Sequence, residues 1–253
     1  MQKPLFIPGS NQGYGAQVWG AYAGELFRHV AHESVGQFFQ REVARKLGID
    51  AFIGLPPDRD GLVATLYPVS VFDRLAALVP DIFMGDTTEG RIARAFMSGN
   101  KSIEQAYMNP SAGPKSVDVF NEPWVRRMEL PWVNGVANAR SLAAIMNVLA
   151  QGGRVGKVHF ANADLLRELT KENPLRYDLV LQKPLGWNLG FLKEERWLYS
   201  PNVEAFGHSG MGGPLALADP KAKLAFGYVC NKMDYKVRPD KTLKLCRALY
   251  ECV

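Results

Sequence analysis

The sequence predicts an α+β protein. Helical periodicity dominates from Pro8 to Leu169, and extended segments take over from Tyr177. One of those segments ends in the triplet His208-Ser209-Gly210, ahead of a second extended run and a tight Asp219-Pro220 turn. Helices first and antiparallel strands last is the order of an α+β domain rather than of alternating βαβ units.

Val18, Trp19, Tyr22, Ala23, Leu26, Phe27 and Val30 recur at helical steps, which predicts a helix with one apolar stripe turned to the core. Ser34 and Gln37 have the spacing of a capping box, in which the hydroxyl and the amide side chain each satisfy an orphan backbone N–H. Phe38, Phe39, Val43 and Leu47 give that second helix its buried stripe, and Gly48 closes it as a C-cap. Between Pro56 and Pro131 the pattern is less regular. Helices are expected near Glu89 to Met97 and Ile103 to Met108, among loops at Gly99-Asn100, Asn109-Pro110 and Gly113-Pro114. A helix from Ala139 to Ala150 carries Leu142, Ala143, Met146 and Leu149 on one face and ends at Gly152-Gly153; a short one follows from Asp164 to Leu169. Trp187 to Phe191, Glu204 to His208, Pro214 to Ala218 and Leu224 to Cys230 read as strands. Lys241 to Cys252 reads as an amphipathic helix packed through Leu243, Leu245, Leu249 and Tyr250.

Composition bounds the function classes. The 253 residues are 47% hydrophobic and 22% charged, enough for one large domain, read as a helical part of about 14–170 and a sheet part of about 177–253. No apolar run is long enough to cross a membrane, and the first residues lack the apolar core of a secretion leader. The three cysteines, Cys230, Cys246 and Cys252, have neither a disulfide framework's even count nor metal-ligand spacing. With no leader in these residues they point to a cytosol-like compartment. His29 and His32 sit one turn apart without a third ligand, so neither a metal site nor a cofactor is expected. The net charge of +5 is spread along the chain. Lys241, Lys244 and Arg247 line a solvated helix face rather than a nucleic-acid patch, so no nucleic-acid partner is expected. An oligomer is left open.

An ordered series of motifs carries a resemblance. Pro8-Gly9-Ser10 and Gly13-Tyr14-Gly15-Ala16 come first, then Gly24-Glu25-Leu26, Phe38-Phe39 and Leu47-Gly48-Ile49. Asn134-Gly135-Val136-Ala137, Ala139-Arg140-Ser141-Leu142-Ala143, Gly152-Gly153, the His208-Ser209-Gly210 strand and the Asp219-Pro220 turn complete it. In this order the series resembles the class C β-lactamase, penicillin-binding-protein and serine-esterase family across nearly the whole chain. The resemblance implies a β-lactamase/transpeptidase-like fold and hydrolysis of esters or amides through an acyl-serine.

By the same resemblance Tyr14 takes the place of the proton-transferring tyrosine, and His208 the cationic position of the Lys/His-x-Gly strand. The backbone N–H of Met211 becomes an oxyanion donor. Ser209, Gly210 and Gly212, with Gly213, line the substrate cleft. Ala16 stands where lactamases carry Asn, which suits an esterase-like relative. The family's Ser-x-x-Lys does not precede Tyr14 in these residues. Ser98-Gly99-Asn100-Lys101 matches it literally but falls after the tyrosine, in a turn context. Ser209 lacks the nucleophile elbow, since Met211 stands where that elbow needs Gly. The chain therefore reads as the C-terminal two-thirds of the fold, without the N-terminal strands and nucleophile helix. The strand at Leu224 to Cys230 is then left at an open edge. As written the chain is expected to be inactive, acting on a small-molecule or peptide ester or amide only if an upstream segment completes it. The alternative is a non-catalytic interaction protein using the residual cleft or the sheet edge.

Overall fold

The computed structural model describes residues 4–15, 18–107, 117–193, 198–236 and 238–253. Ala16, Met108, Asn109-Pro110 and Gly113-Pro114 lie outside the described residues. The helices are α1 (Trp19–Ala31), α2 (Val35–Phe39), α3 (Arg45–Leu47), α4 (Val71–Phe83), α5 (Thr88–Met97), α6 (Lys101–Tyr107), α7 (Pro123–Arg127), α8 (Ala139–Ala150), α9 (Ala163–Thr170) and α10 (Asp240–Glu251). The strands are β1 (Ala51–Phe52), β2 (Val136–Ala137), β3 (Arg154–Val155), β4 (Val158–His159), β5 (Arg176–Asp178), β6 (Lys183–Leu185), β7 (Trp187–Asn188), β8 (Phe191–Lys193), β9 (Phe206–Ser209), β10 (Leu215–Asp219) and β11 (Leu224–Tyr228).

Among the described residues the largest sheet has five strands in the order β11-β10-β9-β8-β7, all paired antiparallel. Strand alternation sorts its side chains between two helical layers. Phe206, Ala216, Ala218 and Ala225 face Met146, Leu149 and Ala150 of α8 and Leu169 of α9. Ala205, Leu215, Leu217, Phe226 and Tyr228 face Leu243, Cys246 and Tyr250 of α10. The small residues on the first face let α8 lie close. A Cβ added at Gly227 would sit 2.7 Å from the Ala143 nitrogen and still nearer the Ala139 carbonyl. Gly227→Ala is therefore expected to lose about 1–3 kcal/mol by forcing α8 off the sheet, read as a lower urea midpoint at unchanged slope. β11 lies at the sheet edge, as the motif series implied.

Local signals held where they depend on near neighbours. The Ser34–Gln37 capping box forms, and Gly48 caps α3 in the left-handed region at φ 65°. The connection between α2 and α3 is a π-turn at Gln40–Ala44, so the chain stays helical across it. α8 has the expected bounds. Lys241, Lys244 and Arg247 are exposed on α10, but Leu245 is exposed too; Thr242 and Cys246 are the buried residues.

Two expectations are corrected, and one helix appears that the sequence did not announce. Most of the α1 stripe does not reach the core: Trp19, Tyr22, Leu26 and Val30 are 61–74% exposed. The helix seats on its glycine side instead, with the Trp132 ring on Gly20, Pro131 near Gly24, and Phe27 edge-on to Phe38 at 5.2 Å. A glycine face admits closer approach than an aromatic one, and that closeness decided the rotation. Second, residues 187–191 are not one strand but a hairpin, turned by Leu189 at φ 48° and Gly190 at φ 88°. Consecutive positive φ values are those of a two-residue I′ turn. The unannounced helix is α4, which forms with Pro80 inside it. Ser70 caps it by accepting the Asp73 N–H at 3.0 Å. Proline near the end of a helix forfeits only one internal bond. Among the described residues no helix is long and apolar enough to cross a membrane.

Candidate active site

Tyr14 owes its place to the β5–β6 hairpin. Gln12 pairs with Asp178 in a parallel bridge, its carbonyl accepts the Leu179 N–H at 3.0 Å, and its side-chain amide donates to the Arg176 and Leu185 carbonyls. The Tyr14 N–H then donates to Asp178 Oδ1 at 3.1 Å. From this anchor the phenol ring stacks on Trp187, with centroids 5.8 Å apart and planes 9° from parallel. His208 closes the group, 5.9 Å from Tyr14 and 5.7 Å from Trp187. The hairpin turn at residues 189–190 folds β7 back on β8, and β8 in turn pairs with β9, which bears His208.

His208 shares a strand face with Phe206, and Ser209 takes the opposite face, buried beside Leu215 and Tyr199. Beyond β9 the chain turns through Gly210–Gly213. The Gly210 N–H donates to the Pro214 carbonyl at 2.8 Å and the Gly213 N–H to the Gly210 carbonyl at 3.2 Å. Three further groups pin the turn: the Asp234 N–H and the Cys230 thiol on the Gly212 carbonyl, and the Thr242 hydroxyl on the Gly213 carbonyl. Met211 sits at the exposed tip, and among the described residues its N–H has no hydrogen-bond partner. Gly212 is required by the fold itself, since its φ is +84° and an added Cβ would meet Met233 at 2.8 Å. Gly210 has ordinary room for a side chain.

The electrostatics give both rings definite protonation states. Burial, and then the Asp178 carboxylate, pushes the Tyr14 phenol above its ordinary value. It is a neutral phenol at physiological pH. Burial lowers the His208 imidazole and the Arg238 charge adds to that, against the pull of its hydrogen bond to the Ser209 carbonyl. His208 is thus neutral rather than the standing cation its motif position implied. Because a carbonyl only accepts, Nδ1 carries the proton toward Ser209 at 2.8 Å, which leaves Nε2 as an acceptor.

Ser98 caps the end of α5, exposed, with its hydroxyl on the Ala95 carbonyl, and Lys101 opens the next helix. Nothing there resembles a buried helix start. Two site residues escaped the motif reading. Trp187 was legible only as a strand residue. Asp178 has a local signal, an Asp ahead of an apolar run, whose carboxylate caps the Val180 and Leu181 N–H groups as a turn. Among the described residues no three His, Cys, Asp or Glu side chains gather as metal ligands.

Comparison with known proteins agrees with this arrangement of sheet and helices. The chain is 30% identical over 234 residues to the esterase/beta-lactamase LipL of Mycobacterium tuberculosis (strain ATCC 25618 / H37Rv), which is 90% of this chain and 50% of that protein. A family VIII carboxylesterase crystal structure superposes with a TM-score of 0.81 at 34% identity, covering 100% of this chain and 61% of that one. A penicillin-binding protein homolog from Caulobacter crescentus gives 0.78 at 31%, covering 100% and 62%. The chain thus spans about half the length of its curated relative. These likenesses show a β-lactamase/transpeptidase-like fold. The Beta-lactamase family model matches residues 2–248, and the chain belongs to that family of β-lactamase-related serine hydrolases.

Proposed function

We propose that these residues form one wall of an ester-hydrolysing site and take no acyl group themselves. The observation that carries the reading is the convergence of Tyr14, Trp187 and His208 beside a strand end whose Met211 N–H has no hydrogen-bond partner among the described residues. Tyr14 is the proton-transfer group, the Met211 N–H the oxyanion donor, and His208 a neutral acceptor on the cleft wall. Ser209 contributes through its backbone, and Gly210 and Gly212 shape the turn. As a neutral phenol Tyr14 can protonate a leaving alkoxide; to accept a serine proton it needs a cation beside it. Ester substrates fit the reading better than lactams, because Ala16 offers no side-chain amide. The substrate class is a small-molecule or peptide ester or amide.

Neither Ser98 nor Ser209 is placed as a nucleophile, so this 253-residue chain by itself is expected to be inactive. Treatment with a fluorophosphonate, followed by intact mass and peptide mapping, is expected to leave the folded chain unlabelled. A stoichiometric adduct on one serine would overturn the reading and name the nucleophile.

A second reading has its own support. The open edge of β11 and the exposed stripe of Trp19, Tyr22, Leu26 and Val30 on α1 suit a non-catalytic interaction protein. The source transcript separates the two. An in-frame Ser-x-x-Lys ahead of Met1 favours the hydrolase, and a stop codon there favours the binding protein.

A further inference from the structure

We propose that Asp178 is the positioning residue of Tyr14: its buried carboxylate holds the backbone at residue 14 and so sets where the phenol lies against Trp187 and His208. The inference rests on Tyr14 being the proton-transfer group.

The geometry is specific. Asp178 is 0% exposed at the end of β5. Its Oδ1 accepts three backbone N–H groups, from Tyr14 at 3.1 Å, Val180 at 3.0 Å and Leu181 at 2.9 Å. Two of those bonds build the hairpin turn, and the third reaches across 164 residues to the segment before α1. A single atom thereby couples the shape of the β5–β6 turn to the place of the phenol. A peptide N–H gripped by a fixed carboxylate leaves the ring two side-chain torsions, and the stack on Trp187 constrains those.

The second oxygen bears a cost that the turn alone does not offset. Oδ2 is sealed from solvent and has no hydrogen-bond partner among the described residues. A carboxylate used for turn formation alone gains nothing from a buried, unsatisfied oxygen, which carries a desolvation cost. The charged and titratable groups around the ring are Asp178, with Lys183 its register partner on β6, and His208 on β9, which feels Arg238. Burial first, and the nearby Asp178 carboxylate second, push the Tyr14 phenol above its ordinary value.

The test uses the full chain with ¹³C-labelled tyrosine rings, the Tyr14 signal being assigned by its disappearance in Tyr14→Phe. Asp178→Asn keeps an oxygen for the three N–H donors and removes the charge. It is expected to leave the Tyr14 signal at its Trp187-stacked shift while its titration moves to lower pH. Asp178→Ala is expected to lose the stacked shift. An unmoved titration in Asp178→Asn, or an unmoved Tyr14 signal in a folded Asp178→Ala, would overturn the proposal. If Asp178→Ala does not fold, Asp178→Glu, which displaces the accepting oxygen by one methylene, is expected to move the Tyr14 signal off its stacked shift, and an unmoved signal overturns the proposal. The Asp178→Asn titration reads how close the carboxylate lies to the phenol, and the loss of the stacked shift reads its hold on the ring. No turnover enters the readout, so a chain that hydrolyses nothing still reports on Asp178.

Discussion

Phe206→Ala is expected to destabilise the fold by about 3–5 kcal/mol, the range for emptying a buried aromatic site. Phe206 is fully buried at the centre of the sheet. It packs against Met146, Leu149 and Ala150 of α8 and Leu169 of α9, and meets Phe191 edge-on at 5.3 Å. On β10 the residues of that face are Ala216 and Ala218, too small to fill the space the ring would leave. The loss also touches a cation. Lys193 is buried, and its ammonium lies 5.7 Å from the Phe206 ring centroid while donating to the Leu169, Thr170 and Glu204 carbonyls. Removing the ring takes one wall from that charge. Against a typical stability of about 5–15 kcal/mol, a loss of this size leaves a marginal fold. Urea denaturation should show a much lower midpoint, and a change under about 1 kcal/mol, the level of an ordinary surface substitution, would contradict the packing described. His208 is two positions along the same face, so the variant should also loosen the Tyr14–Trp187–His208 group.

Asp219→Ala should cost a similar amount for a different reason. The carboxylate is completely buried at the end of β10. Oδ2 accepts the Tyr250 hydroxyl at 2.6 Å, the Ser200 hydroxyl at 2.8 Å and the Asn202 amide at 2.9 Å, and Oδ1 accepts the Ala222 N–H at 3.0 Å. The acid thus ties the turn after β10 and the loop before β9 to α10. Deleting it takes the shared acceptor from one buried and three part-buried donors at once, with an expected loss of about 3–5 kcal/mol. Tyr250→Phe, which removes one donor and keeps the ring, should cost about 1 kcal/mol. The pH dependence follows from the same contacts. Burial raises the Asp219 carboxyl, but the donations from Tyr250, Ala222, Asn202 and Ser200 outweigh it, and the net direction is down. A carboxyl depressed in the folded state stabilises fully above its unfolded value of about 3.9 and loses that contribution as the pH falls through the folded value. The wild-type chain should therefore lose stability in acid more steeply than Asp219→Asn. Parallel acid profiles for the two would show that Asp219 carries no such linkage.

What was readable beforehand and what was not divides by distance along the chain. The capping box at Ser34, the left-handed cap at Gly48 and the bounds of α8 came straight from residue type, because caps and propensities act over a single turn. α4 was not read from the sequence at all, since residues 56–131 lack a clear helical period and Pro80 lies inside the helix. The same locality misled at Leu189-Gly190, where an apolar residue occupies a turn position usually taken by Asn or Asp. Tyr14, His208 and Met211 were nameable because their motifs are contiguous. Trp187 and Asp178 were not, since each matters to the site only through a partner far away in sequence.

By itself the sequence determined the α+β order, the strand carrying His208-Ser209-Gly210 and the family. Each of these is written in short-range pattern or in the order of motifs. Tertiary structure alone decided which side of α1 is buried, because that depended on Trp132 fitting against Gly20. It alone brought Tyr14 against Trp187 and His208, and it shifted both rings toward their neutral forms. Protonation is set by burial and by charges brought near in space, and Asp178 reaches Tyr14 only when the chain has folded across 164 residues.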